Sequence, residues 1–311
     1  MTHHGNDSPP NLRLIAWEVT RSCNLACKHC RAEAHLDPYP GELSTAEAKQ
    51  LIDTFPETGN PIIIFTGGEP LLREDLFELV RHAKSHGLRC VMAPNGTLIT
   101  PENAREMVNS GIERVSISID GPDSASHDVF RGTPGAFDQA MQGIDYLKKA
   151  GMEFQINTTV TRNNMGQFKD IFHLTQQLGA VAWHIFLLVP TGRAAELQEE
   201  IITAAEYESV LNWFYDFRKT TDMQLKATCA PHYHRILRQR AKEEGVEVNF
   251  DNFGLDAVSR GCLGGIGFCF ISHTGQVQPC GYLELDCGQV KQTPFPEIWA
   301  NSPQFQNLRN P

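Results

Sequence analysis

Cys23-Asn24-Leu25-Ala26-Cys27-Lys28-His29-Cys30 stands directly after an apolar run, residues 12–19, that reads as a β-strand. The C-x3-C-x2-C spacing puts three thiols in one short loop at a strand's C-terminal end. A structural zinc site wants four ligands in a tetrahedron, and no fourth cysteine follows closely. His29 lies inside the loop and is badly placed to close one. An iron–sulfur cube on three thiolates keeps one iron open to an outside ligand. The loop reads as a place for chemistry, with a structural zinc loop as the plain alternative.

Outward from this loop, short apolar runs alternate with amphipathic stretches. Strands are predicted at 12–19, 62–65, 89–93, 115–119, 154–160 and 183–189. Helices are predicted at 44–55, 74–86, 101–110, 137–150 and 167–178. Ser44 and Glu47 form a capping box at the first helix, and glycines at 87, 111, 151 and 179 close the others. Ordered alternation implies parallel strands with helical crossovers. Six units are too few for a closed eight-unit barrel, which leaves a partial barrel or an open sheet. In either, working residues belong at the C-terminal ends of strands.

Residues 191–254 read as helical and charged, with helices at 204–219 and 233–244. Residues 255–293 are rich in glycine, cysteine and aromatics, with strand patterns at 268–272 and 277–279, and 294–309 reads as a closing helix. The division expected is a polar tail (1–11), an α/β barrel (12–190), a helical bridge (191–254) and a cysteine-rich extension (255–311).

With 27 basic against 37 acidic residues the net charge is -10, which argues against a general nucleic-acid binder. At 41% hydrophobic and 21% charged residues, the chain has the means to bury a core. No run of about 20 apolar residues marks a membrane span, and residues 1–10 lack the features of a signal peptide. A cytoplasmic location with no membrane partner is expected. Of nine cysteines, seven are clustered and Cys90 and Cys229 stand apart, and the clusters in that setting read as metal sites rather than disulfides.

The thiol spacing, on the first of six ordered units, resembles the radical S-adenosylmethionine (SAM) superfamily. The resemblance implies a partial (β/α)6 barrel and a [4Fe-4S] cluster on Cys23, Cys27 and Cys30, with SAM on the open iron. One electron then splits SAM into methionine and a 5′-deoxyadenosyl radical, and no side chain is singled out as catalytic. Gly67-Gly68-Glu69-Pro70 fits the segment that meets the amino group of SAM. Its glycines permit close backbone approach, and Glu69 can receive an ammonium. Read alone, it is equally a simple turn. Asn95, Ser118, Asp120 and Asn157 fall where the family holds the ribose and carboxylate of SAM. Leu188 falls where it packs adenine, and Arg193 where a carboxylate of SAM or substrate is met. Taken singly, these are ordinary turn, cap or surface residues.

Cys262, Cys269 and Gly275-x4-Cys280 resemble the first half of the SPASM, or twitch-like, extension. This implies an auxiliary [4Fe-4S] cluster on those three cysteines. No cysteine follows Cys287, so two readings stand. The sequence stops before the extension's last cysteines, or Cys287 is the fourth ligand of one auxiliary cluster. Structural zinc on the same thiols is the plain alternative, and Cys90 reads as a buried small side chain.

Three further segments narrow the group: Trp17-Glu18-Val19-Thr20, Thr228-Cys229-Ala230-Pro231-His232-Tyr233-His234-Arg235, and Gly261-Cys262-Leu263-Gly264-Gly265 with Gln278-Pro279-Cys280-Gly281-Tyr282. Together they resemble the radical SAM enzymes of haem biosynthesis, most nearly those that decarboxylate iron-coproporphyrin III to haem. The resemblance implies an iron-porphyrin substrate, hydrogen abstraction from two propionates, and an auxiliary cluster that accepts the released electron. It also implies a small redox protein as electron donor. The alternatives are deacetylation of didecarboxysirohaem, a haem d1-type modification, a peptide-modifying maturase, and a porphyrin carrier without SAM chemistry. A tetra-acidic porphyrin needs cationic clamps, for which Arg21, Lys28, Arg31, Arg193 and Arg235 are candidates. His232, His234 and His29, in that order, are candidate axial ligands.

Overall fold

A computed structural model of the chain describes residues 9–258 and 261–310. Most of the polar tail expected at 1–11 lies outside the described residues. Six strands run parallel in sequence order: β1 (Leu14–Thr20), β2 (Ile62–Gly67), β3 (Arg89–Met92), β4 (Ile112–Ser118), β5 (Phe154–Val160) and β6 (Ala182–Leu187). Between them lie α1 (Thr45–Thr54), α2 (Leu76–Ser85), α3 (Pro101–Ser110), α4 (Ser124–Arg131), α5 (Ala136–Ala150) and α6 (Phe168–Leu178). Both α4 and α5 sit between β4 and β5. Sequence reading saw only α5, although Asp123 caps α4 by accepting from the Ser126 N–H.

Side chains alternate across each strand, and this separates core from site. Ile15, Trp17 and Val19 of β1, Ile63 and Phe65 of β2, Val115 and Ile117 of β4, Ile156 and Val160 of β5 and Trp183 and Ile185 of β6 enter the main apolar core. Each such side chain contributes about 1.5–3 kcal/mol by leaving water. The opposite phase carries Glu18, Thr20, Thr66, Ser118, Gln155, Asn157, Thr159 and His184. A parallel sheet covered by helices on both sides is apolar on both faces. A polar second face marks the concave side of a partial barrel.

The segment read as wholly helical, 191–254, also holds a strand. After α7 (Ala204–Phe217), β7 (Gln224–Thr228) adds in parallel to β6. Its Gln224-Leu225-Lys226-Ala227-Thr228 sequence buries only Leu225, as suits a strand paired on one side. Then come α8 (Tyr233–Glu243) and two single turns, α9 (Phe250–Phe253) and α10 (Leu255–Val258).

The extension continues the same sheet at its other edge. β8 (Phe268–Ile271) pairs parallel with β1, and β9 (Gln276–Gln278) and β10 (Gly288–Gln289) follow antiparallel. The expected closing helix is two, α11 (Phe295–Asn301) and α12 (Pro303–Arg309). Pro303 has no N–H to continue the first and disfavours helical backbone at Ser302. Trp299 of α11 is buried and donates its indole N–H to the Pro10 carbonyl at 2.9 Å. Among the described residues no helix is long and apolar enough to cross a membrane.

Candidate active site

The three cysteines of the first loop sit at the end of β1 in a small apolar pocket formed with Leu25, Ala32, Ala34 and Ala136. Cys23 and Cys27 are buried and Cys30 is partly so, and all are free thiols. The Leu25 and Ala34 amides lie 3.4 Å from the sulfurs of Cys23 and Cys30, and Arg131 reaches the Cys27 sulfur at 3.7 Å. Burial pushes Cys23 up to about 12 against the pull of the Leu25 amide, and burial also raises Cys27 despite the charge of Arg131. Such thiols ionise when a metal takes the place of the proton.

Thiols holding one zinc ion at about 2.3 Å lie about 4 Å apart. Among the described residues, the group with three ligand atoms all within 4.8 Å of one another is Asp53, His82 and His86, away from any cysteine. The loop thiols do not draw together in that way. Beside them the donors Arg193 Nη2 and Arg131 Nε, and the ring nitrogen His29 Nδ1, are buried without a partner. A bound cluster with its ligand would fit such a pocket.

Backbone packing holds the loop. The Gly68 amide donates to Thr20 O at 2.9 Å and the Glu69 amide to Ser22 O at 2.8 Å. A Cβ on Gly68 would lie 2.3 Å from Arg21 O and 2.4 Å from Ser22 O. Sequence reading had the glycines admit a ligand; the structure shows that they also admit the cysteine loop's own backbone. Glu69 is fully buried, and its carboxylate accepts the Asn95 amide at 2.6 Å and the Leu71 amide at 3.0 Å. Burial pushes it up to about 7 against those two hydrogen bonds. Pro70, buried, opens the turn that follows. Asn95 sits 3.9 Å from the Cys23 sulfur and donates to Asn24 at 2.9 Å.

Arg193 crosses back to the loop. It donates from Nε to Cys27 O at 2.8 Å and from Nη1 to Ala34 O at 3.0 Å. Only Nη2 is left over for the carboxylate expected of it. Asp120 is buried behind Cys27, accepts the Thr159 amide at 2.7 Å, and pairs with Arg131 at 2.5 Å. Arg131, missed in the sequence, links that carboxylate to the Cys27 sulfur. Ser118, Asn157 and His184 stand side by side in register on the concave face. Gln155 donates to Asn157 at 3.0 Å and meets His184 Nδ1 at 2.9 Å. Burial drives His184 down to about 3, so it is a neutral ligand or acceptor near neutral pH. Leu188, half-buried, follows β6.

Of the expected clamps, Arg31 and Arg21 converge on Glu18, at 2.8 Å and 3.3 Å. His273, from the extension, meets the same carboxylate at 2.7 Å. Burial would raise Glu18, but the His273 hydrogen bond and the charges of Arg31 and Arg21 outweigh it and hold it at about 2. The Glu42 carboxylate stands beside them, accepting from the Thr20 hydroxyl at 2.7 Å and the Arg21 amide at 3.1 Å, so two guanidiniums face two carboxylates. Arg31 also lies over the Phe270 ring at 4.5 Å. A buried acid within an apolar strand was the signal for this hub, since such a group demands partners.

The remaining candidates are scattered. Lys28 is exposed, and the His29 ring stacks on Phe130 at 4.1 Å. His232 is exposed at the start of α8, with its ring against Tyr207. Arg235 is exposed and paired with Glu208. His234 and Arg235 line one cleft of about 470 Å³ with Pro231, Arg238 and Gly261. The second cysteine cluster divides: Cys262 is exposed and Cys280 partly buried, whereas Cys269 and Cys287 are buried.

Comparison with known proteins agrees with this geometry. Residues 17–175 match the radical SAM superfamily, and residues 262–311 match the SPASM iron–sulfur cluster-binding domain. The chain is 72% identical over 312 residues, 99% of its length and 85% of the relative's, to the AdoMet-dependent heme synthase of Nitratidesulfovibrio vulgaris. It is 51% identical to the protein of the same name from Methanosarcina barkeri, over 96% of this chain and 85% of that one. It is 32% identical to the Fe-coproporphyrin III synthase of Methanosarcina barkeri, over 93% of this chain and 73% of that one. In fold it is similar to Streptococcus suis SuiB bound to S-adenosylmethionine, with a TM-score of 0.73 at 15% identity, over 97% of this chain and 68% of that one.

Proposed function

The chain belongs to the radical SAM superfamily, is an enzyme and carries a SPASM iron–sulfur domain, and from that premise we propose that it is a haem synthase acting on iron-coproporphyrin III. The observation that carries this reading is the order of likeness: identity to the AdoMet-dependent heme synthases far exceeds that to the Fe-coproporphyrin III synthase. Two propionates would be decarboxylated to vinyl groups. For each, one hydrogen atom leaves the β-carbon, the carboxylate leaves as carbon dioxide, and one electron is released as the double bond forms.

Cys23, Cys27 and Cys30 would hold a cluster which, with SAM bound, would supply the 5′-deoxyadenosyl radical that takes the hydrogen. Glu69, buried between two amides, fixes the turn that the ammonium of SAM would meet. Asn95 and Ser118 at the ends of β3 and β4, and Asn157 midway along β5, would meet its ribose and carboxylate, with Asp120 held behind them by Arg131. Leu188 supplies apolar surface for adenine, and the spare Nη2 of Arg193 a last carboxylate contact. Arg31 and Arg21, which converge on Glu18, would orient a propionate. One electron enters per SAM cleaved and one leaves per vinyl formed. A small redox protein donor and a cytoplasmic setting complete the proposal.

The test is anaerobic incubation with SAM, a reductant and iron-coproporphyrin III, read by mass spectrometry. Protohaem together with 5′-deoxyadenosine is the expected result. Conversion of didecarboxysirohaem alone, by loss of acetate carboxyls, would overturn the assignment, as would no product from either substrate.

A further inference from the structure

We infer that the auxiliary cluster is held by Cys229, Cys262 and Cys280, and that Cys269 and Cys287 take no part in binding it. The inference rests on the chain being a SPASM iron–sulfur protein and not on its porphyrin substrate.

The sheet separates the thiols. Cys269 lies on β8 in register with Ile15 of β1, and both are fully buried in the main core. The next residue, Phe270, points to the other face, where Arg31 lies over its ring. On that face a Cβ at Gly281 would lie 3.2 Å from both Arg31 and Phe270, so the Cys280-Gly281 turn borders the concave side. Cys269 and Cys280 therefore leave the sheet in opposite directions. Cys287 joins Cys269 in the core, where its sulfur lies 3.7 Å from the Leu285 carbonyl.

Cys262 and Cys280 behave differently. Each sulfur has the amide two residues on at 3.4 Å, from Gly264 and Tyr282 respectively. The same arrangement occurs at Cys23 with Leu25. The two loops touch, since a Cβ on Gly264 would lie 3.5 Å from the Cys262 sulfur and 3.2 Å from Pro279 O. The cleft lined by Pro231, His234 and Gly261 brings the start of α8 against the residue before Cys262. Cys229 stands two residues before Pro231 with φ of +56°, a left-handed backbone that costs a non-glycine residue about 1–2 kcal/mol. Strain of this kind marks a side chain held in place for a purpose. Cys229 is exposed, and the sulfurs of Cys280 and Cys262 lie close by.

The test starts from a chain in which Cys23, Cys27 and Cys30 are all alanine, so that iron bound after anaerobic reconstitution is auxiliary. Adding Cys229→Gly suits the left-handed backbone and leaves the fold undisturbed. It is expected to remove most of the remaining iron, about four per chain, together with the paramagnetic signal of the reduced cluster. Cys269→Ala and Cys287→Ala are expected to keep both. In the unsubstituted protein, alkylation read by peptide mass mapping should label Cys229 in the cluster-free form and spare it in the loaded form. Full iron in the Cys229→Gly chain, loss of iron in the Cys269→Ala chain, or equal labelling of Cys229 in both forms would overturn the inference.

Discussion

Asp120 and Arg131 show how much one pair of residues decides. Both are buried, and their 2.5 Å ion pair stands directly behind the Cys27 sulfur. Removing one partner of a buried pair strands the other charge, which costs about 3–5 kcal/mol. Asp120→Asn should therefore lower stability by about 3–5 kcal/mol in anaerobic urea unfolding, and adding Arg131→Met should recover much of it. A single variant as stable as the parent would show that the pair contributes nothing. The sequence offered Asp120 as a strand-end residue and was silent on Arg131. A helical arginine gives no sign of its depth until α4 is packed. Glu18 was visible within the Trp17-Glu18-Val19-Thr20 segment, but its partners Arg31 and His273 come from distant parts of the chain.

At the scale of elements, legibility followed burial. β1 to β6 could be read because each carries an unbroken apolar phase, whereas β7 hides its single buried Leu225 among polar neighbours. The second cysteine cluster shows that closeness in sequence is not closeness in space: a strand turns successive side chains to opposite faces, and Cys269 is buried in the core. The turn after β2 is the element on which the first loop leans. Gly68→Ala places a Cβ against two carbonyls of that loop, so it should lower the iron bound at Cys23, Cys27 and Cys30 several-fold while the chain stays folded. Gly166→Ala, where no atom lies within 4 Å, is the control expected to change nothing. Iron content and the spectrum of the reduced cluster with SAM report the outcome, and a fully loaded Gly68→Ala chain would refute the tight contact.

For the whole molecule, Glu18 ties the barrel to its extension. Its folded value of about 2 lies below the ordinary 4.5, so the stability it contributes is present above pH 4.5 and is lost as pH falls toward 2. The depression corresponds to about 3 kcal/mol. Glu18→Gln should cost about that much at neutral pH in urea unfolding, and its deficit against the parent should shrink below pH 4.5. A deficit that does not change with pH would assign the loss to packing instead. The bond between Glu18 and His273 spans 255 residues. On the ribosome, the first cysteine loop is complete long before β8 exists. Until then β1 offers a bare hydrogen-bonding edge, and Glu18 sits without His273. The nascent barrel thus passes through an interval in which its edge stands open to unwanted strands, and synthesis of the extension closes it.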